Sequence, residues 1–279
     1  MHHVSRIDPA RAKTPRVYEG HSRGFRRATY VDREMGSVHM GTGICSLDAK
    51  GSIEKHLHSF EESFYVLEGE VSAQIGDKLC RFGPGDYGLI RTGTSHSWQN
   101  EGSATARWLE MQAPQPRSGE SGRDTFFTEE ALESGAPPLG HFDESQLPRP
   151  GAPSQMEGFN PTTGVAIKMF VDRSFGAIHQ SLFLIQYMPG ARIDRHDHTF
   201  EESYFIVSGR VRATADGQSY DLGPGDVIWT GVGCIHSFEN GGTEPVRWIE
   251  TQAPLPPAQE VFRFERDWAK YSPVSAGNA

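Results

Sequence analysis

HLHSFEES (His56–Ser63) and HDHTFEES (His196–Ser203) are one pattern written twice, 140 residues apart. Working outward from them, the same offset pairs VDREMGSVH (Val31–His39) with VDRSFGAIH (Val171–His179). It pairs GPGD at Gly83–Asp86 with GPGD at Gly223–Asp226, and RWLEMQAP (Arg107–Pro114) with RWIETQAP (Arg247–Pro254). From Val31 to Pro114 no insertion is needed, and 30 of the 84 aligned positions are identical. A period this long marks a duplicated domain rather than a solenoid unit. The two copies are expected to share one fold and one kind of site.

Within each copy the signals are those of short strands. SFYVLEGEVSAQIGDK alternates and turns at Gly76-Asp77, and ESYFIVSGRVRATADGQ turns at Asp216-Gly217. Segments of five to eight residues are separated by Gly, Pro or Asp, and helical periodicity is absent. An all-β chain of two similar antiparallel barrels follows. The domain division is an N-terminal arm over 1–30, a first domain over 31–117, a linker over 118–160, a second domain over 161–258 and a C-terminal helix and tail over 259–279. The linker is rich in Pro, Gly and Ser and carries a short helix expected at Thr128–Glu133. It reads as a surface connection, with a lid over a barrel mouth as the minority reading. VFRFERDWAKY (Val261–Tyr271) reads as the terminal helix.

Composition narrows the function classes. The 279 residues carry 27 basic and 36 acidic side chains, a net charge of −9, and no basic run. That disfavours a nucleic-acid groove or a membrane-surface patch. No apolar stretch reaches bilayer length, and the N-terminal residues lack the apolar core of a secretory signal. Cys45, Cys80 and Cys234 are few, odd in number and far apart, which fits a reducing compartment. The expectation is a cytoplasmic protein, monomer or homodimer, whose partner is a small-molecule substrate.

The chemistry gathers on histidine. His56 and His58 are two apart and leave one face of a strand, and Glu62 follows at an even offset. His96 arrives from a separate segment after a turn; His196, His198, Glu202 and His236 repeat the set. A lone HxH on a strand is more often a packing pair, and a following EE a solvated edge. Four residues of the right type recurring at identical spacing make that reading poor. Three imidazoles and one carboxylate form a mononuclear site for a divalent transition metal, one per copy, with positions open for substrate. Alternation turns Glu61 and Glu201 away from the clusters. On Arg107–Gln112, alternation places Glu110 and Gln112 on one face, and Glu250 and Gln252 repeat them. Glu110 and Glu250 are candidate acid/base groups; Gln112, Gln252 and Arg91 are candidate substrate contacts, with strand-end or surface roles as the plainer reading.

On these residues each half resembles a cupin, and the chain resembles a bicupin. The first family motif, G-x5-HxH-x3/4-E-x6-G, is matched by Gly190, His196, His198, Glu202 and Gly209, and by His56, His58, Glu62 and Gly69. Gly51 stands four residues, not five, before His56. The second, G-x5-P-x-G-x2-H-x3-N, is matched by Gly85, Gly93, His96 and Asn100 and by Gly225, Gly233, His236 and Asn240, with Arg91 and Gly231 in place of proline. The resemblance implies a double-stranded β-helix, or jelly roll, in each copy, with Fe or Mn inside it, or Ni, Zn or Cu. It implies a dioxygenase or related oxidoreductase acting on a small hydroxylated or dicarbonyl compound. The alternative is a redox-neutral lyase, isomerase or hydrolase, such as a decarboxylase or a ureidoglycine-aminohydrolase-like enzyme. A non-catalytic binder of metal or small ligands is the third reading.

Overall fold

The computed structural model describes residues 1–6, 8–117, 124–132, 135–153, 163–256 and 262–270. Nearly all regular structure there is antiparallel strand, and the helical turns are short 3-10 turns. Among the described residues no helix is long and apolar enough to cross a membrane. In the second copy the strands His2–Arg6, Asp226–Thr230, Glu201–Ser208, Val246–Ala253, Ser181–Tyr187 and Val165–Val171 form one sheet in that order. Gln218–Leu222, Val211–Ala215, His236–Glu239, Arg192–Asp197 and Arg263–Phe264 form the facing sheet. The first copy folds the same way, but its two layers are joined into one ten-stranded sheet by the long strand Gly41–His58.

A local difference explains that join. Where the first copy reads Asp48-Ala49-Lys50, the second reads Met188-Pro189-Gly190, and proline has no N–H for a ladder, so the strand divides there. Gly190 (φ 80°) and Lys50 (φ 62°) are both left-handed. Lys50, and not Gly51, therefore holds the place of the first motif's opening glycine. Gly51 is glycine for another reason: a Cβ there would lie 2.8 Å from the carbonyl oxygens of Arg23 and Asp48.

Each barrel interior is lined by the inward residues of both layers, with Trp98 stacked on Trp108 at 4.9 Å in the first and Phe238 on Trp248 at 5.3 Å in the second. A third apolar cluster lies between the barrels and draws on both, including Met40, Tyr65, Leu109, Phe170, Leu182 and Trp229. The repeated VDR…G…H segments build the polar part of this junction. Asp32 accepts from the backbone N–H groups of Glu34 and Met35, and Gly36 (φ 100°) turns the chain. The carboxylate of Glu201 then accepts from Ser37 Oγ (2.6 Å), Val38 N (2.8 Å) and His39 N (3.2 Å). Reciprocally, Glu61 accepts from Ile178 N (2.8 Å) and His179 N (2.9 Å). The same patch meets itself across an approximate two-fold axis, as in an isologous dimer.

Segments read as connections are structural. His2–Arg6 pairs with Asp226–Thr230 of the second barrel, and Ser22–Val31 with Gly41–His58 of the first. In the linker, Thr125–Phe127 pairs with His56–His58, and Leu139–His141 with Asp86–Gly88. The expected helix at Thr128–Glu133 does not form over 128–132, and Glu133 lies outside the described residues. A helix of that length is marginal alone, and pairing with the barrel fixes the neighbouring backbone as strand. At the C-terminal end the strand Arg263–Phe264 and the 3-10 turn Glu265–Lys270 stand where a helix over Val261–Tyr271 was expected; Val261 and Tyr271 are outside the described residues.

Replacing Glu201 by Ala strands three donors at a buried junction. A loss of about 2–4 kcal/mol is expected in urea unfolding followed by tryptophan fluorescence, with Glu201→Gln intermediate. An unchanged midpoint for Glu201→Ala would contradict the junction's role.

Candidate metal centres

Each cluster is assembled by one strand pair. His56 lies opposite His96, and His196 opposite His236. In both pairs the register slips just before the first histidine, after Ile53 and after Ile193. Such bulges bend a strand and re-aim its side chains. Ring centroids are 4.2–4.9 Å apart in the first centre and 4.3–5.2 Å in the second. The potential ligand atoms of each triad lie within 4.8 Å of one another. Glu62 Oε2 joins at 3.1 Å from His58 Nε2 and 3.8 Å from His96 Nε2. Glu202 Oε2 is 3.3 Å from His198 Nε2 and 3.1 Å from His236 Nε2. All eight side chains are buried.

The rings are held from behind. His56 Nδ1 donates to Glu54 O (2.7 Å), His96 Nδ1 to Thr94 O (3.1 Å), His196 Nδ1 to Asp194 O (2.6 Å) and His236 Nδ1 to Cys234 O (2.9 Å). His58 Nδ1 meets the Thr125 hydroxyl at 3.0 Å. A proton on Nδ1 leaves the Nε2 lone pair facing the centre, the arrangement that metal-bound histidine uses. Nε2 of His58 and of His96 are buried with no hydrogen-bond partner. Buried acceptors without a donor are costly, and a divalent cation satisfies them and the carboxylate at once. The donor set fits a transition metal.

Burial also sets the protonation states. Desolvation lowers His56 to about 3 and His58 to about 4. His96 and His196 are lowered well below the ordinary range for the same first reason. Burial raises Glu62 to about 7, with Arg27 opposing. For Glu202, burial acts upward but is outweighed by His198, by His236 and by the Tyr204 hydroxyl, which hold it low. The difference has a structural source. Tyr204 Oη donates to Glu202 Oε2 at 2.5 Å and Gln252 Nε2 donates to Glu202 Oε1 at 2.9 Å. In the first copy the residue aligned with Tyr204 is Phe64, which has no hydroxyl.

The other expected residues divide. Glu250 lies on the wall of a cavity that contains the second centre and is bounded by Ile167, Ile185, Tyr187, Phe238 and Phe262. Its Oε2 accepts from Trp248 Nε1 (2.9 Å), and burial, then the Glu202 charge, push its carboxyl well above the usual range. Glu110 instead forms a buried ion pair with Arg27 Nε, and the aligned place of Arg27 is Ile167. Gln252 orients the Glu202 carboxylate, while Gln112 Oε1 packs beside Gly41. Arg91 reaches the other barrel's loop, where a Cβ on Gly176 would lie 2.7 Å from its Nη2, and it lines a separate cleft with Thr94 and Pro137. Arg27, Thr125 and Phe262 escaped the sequence reading, because only long-range strand pairing brings them to the centres. Tyr204 stands at an even offset from Glu202, and alternation along that strand carries its hydroxyl to the second centre.

Comparison with known proteins agrees with this arrangement. The cupin domain model (Cupin_2) matches residues 43–111 and 183–251. A polyketide synthase protein, CurC of Streptomyces cyaneus, is 30% identical over 80 residues, which are 28% of this chain and 52% of that protein. The chain thus spans about half the length of that relative. The tetracenomycin polyketide synthase protein TcmJ of Streptomyces glaucescens is 27% identical over 117 residues, 42% of this chain and 75% of that protein. Among solved structures, a putative glyoxylate induced protein from Pseudomonas aeruginosa superposes with TM-score 0.67 at 15% identity, covering 90% of this chain and 88% of its own. The oxalate decarboxylase of Lactobacillus farciminis gives 0.66 at 16%, covering 97% and 90%. A Bacillus subtilis oxalate decarboxylase variant gives 0.65 at 18%, covering 97% and 81%. At these identities the superpositions speak for the fold.

At the first centre metal binding displaces the proton that Glu62 carries below about pH 7. With the second centre silenced by His196→Ala and His198→Ala, calorimetric Mn(II) affinity is expected to rise about tenfold per pH unit from pH 5 to 7 and then level. Glu62→Gln removes that slope; a flat profile for the native carboxylate would contradict the assignment.

Proposed function

This chain belongs to the cupin family, with a cupin domain in each half, and we propose that it is a metal-dependent enzyme acting on a small organic acid or carbonyl compound. The reaction class is redox-neutral and of the decarboxylase or lyase kind. The observation that carries the metal dependence is the pair of buried nests, each with three imidazoles around one glutamate, in which Nδ1 of His56, His58, His96, His196 and His236 is engaged from behind. His56, His58, Glu62 and His96 hold one ion, and His196, His198, Glu202 and His236 the other. A divalent ion there, Mn or Fe first among the candidates, supplies Lewis-acid polarisation of a coordinated oxygen.

The chain's own groups supply the rest. When a carboxylate leaves as carbon dioxide, the remaining carbon needs a proton, and Glu250 keeps one on its carboxyl at the cavity wall. Trp248 Nε1 fixes one oxygen of that carboxyl, and Gln252 fixes Glu202. Tyr204 Oη, which donates to Glu202, stands 3.0 Å from His236 Nε2 and holds that carboxylate against the imidazoles. Two of the similar solved structures are oxalate decarboxylases, which supports this reaction class over others open to the fold. An oxygenase acting on a hydroxylated or dicarbonyl compound is the second reading, favoured by the apolar wall of Ile167, Ile185 and Phe238.

Small dicarboxylic and α-keto acids offered to Mn-loaded protein are expected to release carbon dioxide with no net oxygen consumption. Glu250→Gln is expected to keep its metal and lose about 100-fold or more in kcat. One oxygen consumed per substrate turned over would instead establish the oxygenase reading.

A further inference from the structure

We propose that Phe262 determines which molecules reach the second centre, admitting short substrates with an apolar flank, and that the segment after it is a strap holding the ring in place. The proposal rests on the second centre binding a metal. The register of the strap puts Phe264 opposite His196 and Arg263 opposite Asp197. Alternation then turns Phe262 and Phe264 to one side, where their rings stack at 5.9 Å. Phe262 meets the His198 ring edge-on at 4.7 Å and the His196 ring at 4.9 Å, and it bounds the cavity. Every other residue that lines the cavity, among the described residues, falls between Val165 and Glu250, within the barrel itself.

The strap is latched by charge. Arg263 pairs with Asp197 (2.6 Å), Arg266 with Asp194 (2.6 Å) and Glu265 with Arg195 (3.1 Å). The Arg266 and Glu265 pairs are exposed and the strand is only two residues long, so apart from the part-buried Arg263–Asp197 pair the strap is held by contacts that are individually weak. A short, half-buried element of this kind opens at lower free-energy cost than the barrel strands, which allows substrate to enter.

The first centre shows what the second lacks. Its strap is Thr125–Phe127, paired over three residues with His56–His58, and there the residue opposite His58 is Thr125, whose hydroxyl is bonded to the ring. Inside that barrel Arg27 stands where the second has Ile167, and the Tyr18 hydroxyl lies 3.4 Å from His56 Nε2. The second cavity is therefore walled by Ile167, Ile185, Phe238 and Phe262, with Tyr204 and Glu250 as its polar points. Such a site takes a molecule with one metal-binding oxygen group and a short apolar body.

The test uses full-length protein whose first centre is silenced by His56→Ala and His58→Ala and whose second is loaded with Co(II), read by visible absorption. Azide serves as the small probe and benzoate as the bulky one. Azide is expected to bind the Phe262 protein while benzoate does not; Phe262→Ala should leave azide affinity within about twofold and strengthen benzoate by about tenfold or more, with Phe262→Leu between. Co(II) bound stoichiometrically with equal benzoate affinity in all three proteins would overturn the role of Phe262. Failure of the silenced protein to take up Co(II) at all would overturn the metal reading beneath it, a different result from the first.

Discussion

A carboxylate taken out of water needs a compensating partner, and each barrel buries one against three imidazoles. Much of the site geometry follows from that constraint. The strand bulges after Ile53 and Ile193 bring His56 and His196 opposite His96 and His236. The carbonyls of Glu54, Thr94, Asp194 and Cys234 take the Nδ1 protons and leave Nε2 turned inward. Among the described residues no Lys or Arg lines the second cavity, and in the first barrel Arg27 is engaged with Glu110. A divalent cation would satisfy each carboxylate and its imidazole acceptors together.

Duplication supplies the frame. Glu61 and Glu62 are adjacent, so alternation sends one carboxylate across to the other barrel and the other into its own. Glu201 and Glu202 do the same. One dipeptide thus joins the barrel junction to the metal nest in each copy, which gives the doubled HxH-x3-E pattern a structural as well as a chemical reason. Within this symmetry the copies diverge. Arg27 against Ile167, Phe64 against Tyr204 and Thr125 against Phe262 are three differences that set the surroundings of the two centres apart.

The sequence was most informative where local rules decide. Alternation placed His56, His58 and Glu62 together and turned Glu61 away, and the repeat identified their counterparts. It was least informative where distant strands decide. The pairing of His2–Arg6 with Asp226–Thr230 has no local signature, and neither has that of Thr125–Phe127 with His56–His58. Helix signals at Thr128–Glu133 and Val261–Tyr271 were real as local propensity, but their flanks lie along the barrels as strands. Arg91 shows the same limit. Its position in the loop before His96 suggested a substrate contact, and the neighbouring barrel, invisible to a reading of one copy, places its guanidinium at Gly176 instead.

The central claim is that both nests are metal sites. Elemental analysis of protein purified without added metal, followed by dialysis against Mn(II) or Fe(II), tests it directly. The account predicts about two ions per chain, falling to one when either His56 and His58 or His196 and His198 are replaced by alanine. Protein that carries no transition metal and takes up none would contradict it.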